Sequence, residues 1–180
     1  MDILGGMGRY LKSQGPGGWL FIGFGLFLAY TYYQGENEKK DHQEYVARFD
    51  SSMPSLLHKK EIGTVHLSNS SKVLPVNLND KAIDWVLFRL NERNKPADPS
   101  QVTRVIGYKN CKDNLFGEYT DNTKAYQESC QIFIIDTKHH RWQYIGRLKG
   151  GEPPNSKKGS GSRTGQSVIR TYLIKHGYLK

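Results

Sequence analysis

The sequence predicts an α+β protein: an N-terminal single transmembrane helix followed by a small, mostly antiparallel β-sheet domain with a C-terminal helix. Three observations carry this. Residues Trp19 to Tyr33 read WLFIGFGLFLAYTYY, with no charge between Lys12 and Glu36. After Lys72, short runs rich in β-branched and aromatic residues alternate with turn formers, the pattern of strands joined by loops. Near the end, Val168, Ile169, Tyr172 and Leu173 recur at helical spacing.

Residues 1–18 form a tail ending in Gly15 to Gly18, and residues 19–34 are the expected span. The fifteen apolar residues extend only about 22 Å as a helix, short of the ~30 Å hydrocarbon core unless flanking residues join. Trp19 at one end and Tyr30, Tyr32 and Tyr33 at the other match interfacial aromatic belts. A cleaved signal peptide and a buried core helix are the alternatives, although no small-residue cleavage site follows. Arg9 and Lys12 before the span nearly balance Lys39, Lys40 and Arg48 after it, so the positive-inside rule decides little. The two cysteines tip the expectation to an extracytoplasmic body, because a lone pair suits a disulfide in an oxidising compartment.

Residues 35–71 read as a juxtamembrane helix with Tyr45, Val46 and Phe49 on one face, then a break at Ser51, Ser52 and Pro54 and a polar linker. The α+β domain is expected over 72–180. Val73 to Leu78 reads as a strand that Pro75 confines to an edge. Ile83 to Leu90 is another apolar run, Asn91 to Ser100 a loop, and Val102 to Tyr108 a strand. Gln131 to Asp136 and Trp142 to Leu148, separated by Thr137 to His140, form a hairpin. Thr164 or Ser167 caps the last helix and Gly177 ends it.

The chain has 180 residues, of which 37% are hydrophobic, 12% aromatic and 24% charged. That is room for one modest domain plus an appendage, and it excludes a TIM barrel or a complete dinucleotide-binding enzyme. A mean hydropathy of −0.65 excludes a multi-span membrane protein. The net charge is +9, yet Met1 to Thr137 holds sixteen basic and sixteen acidic residues. The excess falls from Lys138 onward, where ten basic residues face only Glu152. Clustered cations attract nucleic acid or anionic lipid, and they also simply solvate a surface.

Cys111 and Cys130 enclose eighteen residues. A disulfide closing that loop would add about 3 kcal/mol in the chain-entropy model; free buried thiols and a reactive thiol are the alternatives. The segment from Gly150 to Ser167 brings glycines, Lys149, Lys157, Lys158 and Arg163 to a helix start carrying Arg170, a candidate anion-binding set. It is not a P-loop, because Gln166 stands where the phosphate-binding lysine belongs. His139 and His140 are adjacent and would point apart, so no metal-ligand set is visible. Asp121, Tyr126 and Glu128 lie loosely around the cysteine loop without a recognisable catalytic constellation, and no cofactor motif occurs.

The tract from Tyr119 to Gly165 resembles an uncharacterised family of small bacterial membrane-anchored or exported domains. The shared pattern is Y-T-D-x-x-x-A-Y-Q-x-x-C, here Tyr119, Thr120, Asp121, Ala125, Tyr126, Gln127 and Cys130. An apolar strand ending in Asp136 and a second strand follow, then P-P-x-S-x-x-G-S-G from Pro153 to Gly161 and a terminal helix. The resemblance implies one domain in a cell-envelope setting and carries no assigned activity. The sequence therefore leads to a single-pass membrane protein, anchored through residues 19–34, whose domain binds an unknown protein or envelope partner or has a structural role. A binder of anionic polymer or lipid through the basic C-terminal loop and helix is the alternative, and an enzyme of unknown class the second. No small-molecule substrate is identified.

Overall fold

A computed structural model describes residues 16–155 and 163–179, with side chains for 31, 32, 35–155 and 164–179. Two compact units divide between Tyr45 and Val46. The first contains most of helix α1 (Pro16–Asp50), whose polar stretch carries a Glu36–Lys39 ion pair at 3.1 Å.

Among the described residues no helix is long and apolar enough to cross a membrane. This corrects the expected transmembrane helix at 19–34, and with it the single-pass membrane localisation and the orientation argument built on it. The physical reason lies in length and continuity. Fifteen apolar residues reach only about 22 Å, and α1 does not stop at Gln34 but runs on through the charged segment to Asp50. Of the proposed aromatic belt, Tyr32 is 73% exposed, while the side chains of Trp19, Tyr30 and Tyr33 lie outside the described residues.

The second unit begins at Val46, and its early residues already enter the core: Phe49, Met53, Leu56 and Val65 are buried. Short helix α2 (Met53–Leu56) follows α1 after Ser51 and Ser52, with Pro54 in its first turn where a missing N–H costs nothing. The strands are β1 (Glu61–Ile62), β2 (Val73–Asn77), β3 (Ala82–Ile83), β4 (Arg104–Glu118), β5 (Lys124–Asp136), β6 (Arg141–Lys149) and β7 (Arg163–Thr164). Helix α3 (Val168–Lys175) closes the chain.

Six strands run in the order β1-β6-β5-β4-β2-β3, and β7 adds to β5 where β6 has ended. The sheet is mixed, not mostly antiparallel: β1 with β6, β2 with β4 and β5 with β7 are parallel, while β2 with β3, β4 with β5 and β5 with β6 are antiparallel. Neighbouring hairpins can be read from local turns, but the parallel joins bring together segments far apart in sequence. The run after Ile83 forms a 3-10 helix, Trp85–Arg89, capped by the Asp84 carboxylate, and not a strand.

Pro75 sits beside β4 yet breaks no ladder bond to it. Its carbonyl accepts from the Asp84 amide at 3.0 Å, so its N-side also faces away from β4, where β3 pairs only Val76 and Asn77. Consecutive residues Ile132 to Asp136 are all buried, which means both faces of β5 are covered. α3 packs on one of them: its first amide, from Val168, donates to Glu128 Oε2 at 2.7 Å. Ser167 caps it and Gly177 at φ +72° ends it. Tyr178 is buried and donates its hydroxyl to the Ser68 carbonyl, tying the chain end to the loop before β2.

Glycines 150, 151 and 165 have a structural explanation. Gly151 N–H donates to the Gln166 carbonyl, and the two segments approach so closely that a Cβ on Gly165 would collide with the Gly151 carbonyl. Gly165→Ala is expected to destabilise the unit by about 2 kcal/mol, whereas Gly117→Ala, with open space around it, should be nearly neutral in denaturant titration.

Asp136 holds the β5–β6 turn. Its Oδ1 accepts from the Lys138 and His139 amides at 3.0 and 3.2 Å and lies 3.3 Å from Arg104; its Oδ2 meets His139 Nδ1 at 3.0 Å. Burial works to raise this carboxyl, but the His139 side chain and amide, with Arg104, outweigh it and hold its pKa below the ordinary value. A depressed carboxyl stabilises the fold above the unfolded value of about 3.9, and that contribution disappears as pH falls through the folded value. Thermal melts of Asp136→Asn should therefore show a loss of about 1–2 kcal/mol at pH 7 that shrinks as pH falls through the lowered folded value of this carboxyl.

Candidate polyanion-binding face

Side chains alternate along a strand, so the β4–β5–β6 register sorts residues between two faces. Val105, Ile135 and Trp142 align across the three strands, then Gly107, Phe133 and Tyr144, then Lys109, Gln131 and Arg147. Beyond a β4 bulge after Lys109, Lys112 and Ser129 continue the same face. No position of these strands on this face is acidic. All four carboxylates of the three strands (Asp113, Glu118, Glu128 and Asp136) fall on the opposite face, together with Arg104, Lys124 and Arg141.

The acid-free face has an aromatic centre. Phe133 is nearly covered, with Tyr144 at 5.1 Å and Trp142 at 6.0 Å between ring centroids. Lys59 Nζ stands 5.1 Å from the Phe133 centroid and 5.0 Å from that of Trp142, and Lys109 Nζ stands 5.0 Å from Phe133. Each such contact contributes about 0.5–1 kcal/mol at an accessible site. Two ammoniums about 5 Å from one ring centroid lie within about 10 Å of each other, a Debye length at ~0.1 M salt. Desolvation against the rings, and then repulsion from Lys109, hold the Lys59 pKa below the usual lysine range. The face thus carries cations that repel one another and have no carboxylate on their own strand positions.

Local folding places these groups. Lys60 N–H donates to the His140 carbonyl at 2.8 Å and Gly63 N–H to that of Trp142 at 3.0 Å, which lays the segment leaving α2 along β6 with Lys59 over the rings. Arg147 donates from one guanidinium nitrogen to the Asn110 carbonyl at 3.1 Å, where the bulge puts Asn110 at φ +52°. Tyr144 is 46% exposed.

The C-terminal anion-binding set does not come together among the described residues. Lys157 and Lys158 lie outside them, Arg163 is described only as backbone in β7, and Arg170 is partly exposed on α3. Lys149 lines a groove of about 610 Å³ between α3, β6 and residues 64–67, with Gln143, Tyr172 and His176 among its walls. Asp121, Tyr126 and Glu128 do not line it: Asp121 accepts from the Thr123 amide within its turn, and Glu128 caps α3. His139 turns to Asp136 while His140 stacks edge-on against His58. Sequence reasoning missed Lys59 and Lys109 because the chain before Lys138 is neutral in sum, and it counted Arg147 in the basic C-terminal excess without placing it on this face. The usable signal was the W-x-Y alternation of β6, which puts two aromatics on one face.

Cys111 and Cys130 form a disulfide joining the β4 bulge to a fully buried position of β5. Among the described residues the one group with metal-ligand proximity is Cys111, Glu128 and Cys130; the bond occupies both sulfurs and leaves no thiolate to ligate. No family model, curated protein or solved structure matches this chain. Alkylation of the unreduced protein should label neither cysteine, and the Cys111→Ala/Cys130→Ala double variant should lose about 3 kcal/mol in denaturant titration.

Proposed function

We propose that this protein is a binding protein whose acid-free sheet face docks an anionic polymer. The observation that carries the reading is the placement of Lys59 and Lys109 against one ring, Phe133, on a face where the register puts no carboxylate. Such a pair is repulsive alone and favourable once an anion lies between or along it. A polymer fits better than a small anion because the cations come from three places, the segment after α2, β4 and β6, and so are not gathered at one point. The basic excess from Lys138 onward adds long-range attraction for the same class of partner.

Binding of the full chain to inorganic polyphosphate, followed by fluorescence, should weaken steeply between ~50 and ~200 mM salt as counterion release demands. Lys59→Gln/Lys109→Gln should lower the affinity about tenfold and flatten the salt dependence. A salt-independent interaction, or one indifferent to the double variant, would reject the reading.

A further inference from the structure

We propose that the anionic polymer is a single-stranded nucleic acid, with a base stacked on Tyr144 and flanking phosphates on Lys59, Lys109 and Arg147. This rests on the polyanion reading above and adds to it the chemistry of the repeating unit. Three features point that way. First, the cations surround rings and do not stand alone. Lys59 covers Trp142 and, with Lys109, flanks Phe133, while Tyr144 remains 46% exposed beside them. A basic surface with an available aromatic face is the combination that holds unpaired bases, because every base has a π-face and every link a phosphate.

Second, the geometry suits an unstacked strand. Trp142 and Tyr144, two residues apart on one strand face, are separated by about 6.6 Å along β6, roughly twice the 3.4 Å rise of a stacked strand. Lys59 covers Trp142 and Phe133 is buried, so the free ring is that of Tyr144 and it takes one base, whose π-face is open to it in an unpaired strand and closed in a duplex. Third, the alternatives leave groups unused. A polycarboxylate gives Tyr144 nothing to stack on. A bilayer calls for a cluster of protruding apolar side chains; of the large exposed ones Ile62 and Tyr144 share the strand register of Trp142, while Leu115 falls on the opposite face, Trp85 on the 3-10 helix and Ile174 on α3.

The test uses the full chain and fluorescence anisotropy with labelled oligo-dT and oligo-U, competed by polyphosphate of matched charge, duplex DNA, polyglutamate and phosphatidylglycerol vesicles. The expected result is preference for one or both single strands over every competitor, the tighter of the two naming DNA or RNA as the source. Tyr144→Ala should weaken oligonucleotide binding about tenfold without changing the affinity for polyphosphate, and Tyr144→Phe should restore it. If polyphosphate or polyglutamate competes as well as the oligonucleotides and Tyr144→Ala is neutral, the nucleic-acid inference falls while the polyanion reading stands. Preference for vesicles or duplex also overturns it. Failure of every polyanion to bind at low salt removes both.

Discussion

The antiparallel pairing of β4 with β5 is the constraint on which the rest of the second unit depends. From Arg104 opposite Asp136 to Glu118 opposite Lys124 it sets which side chains face which way; β2, β6 and β7 join its two strands directly, and β3 and β1 join through β2 and β6. β2 adds in parallel to the start of β4, β6 returns along β5, and β7 takes the end of β5 that β6 leaves open. A one-residue slip would exchange the two faces. The buried residues at Ile132 to Asp136 and the bond between Cys111 and Cys130 both oppose that slip, the first by burial and the second by covalent closure.

The same register separates charge. On one face carboxylates find partners: Asp136 meets Arg104 and His139, and Glu128 meets the first amide of α3. These acids are thereby consumed in holding a turn and a helix. On the other face Lys59 and Lys109 gain ring contacts but repel each other. Part of what pairing supplies on the first face is left for a ligand on the second, and the location of the candidate site follows from strand alternation more than from any motif.

Local chemistry made several elements legible in the sequence. The β5–β6 hairpin announced itself through two apolar runs around Thr137 to His140, and α3 through Ser167, its apolar spacing and Gly177. The remaining features depended on partners that sequence neighbours do not reveal. β4 and β5 extend well past Tyr108 and before Gln131, because each completes the other's backbone hydrogen bonds across polar stretches that look like loop. Pro75 lies next to β4 because its carbonyl turns outward to Asp84. The glycines near Gly165, which suggested a phosphate cradle, are needed where two backbones touch. The apolar run from Trp19 to Tyr33 suggested a membrane span, but local hydropathy does not show that the helix continues to Asp50.

By itself the sequence determined the hairpin of the last strands, the capped terminal helix, the single cysteine pair and the distribution of net charge along the chain, because each follows from residues close together or from simple counting. Only the tertiary structure decided that the sheet is mixed, that the cysteines meet at a bulge, and that Lys59 and Lys109 converge on Phe133 and Trp142 with Tyr144 beside them and Arg147 on the same strand face. Those outcomes rest on pairing between distant segments, and the period of two along each paired strand turned a chain neutral in its first 137 residues into one strand face that holds the four carboxylates and one whose strand positions hold none.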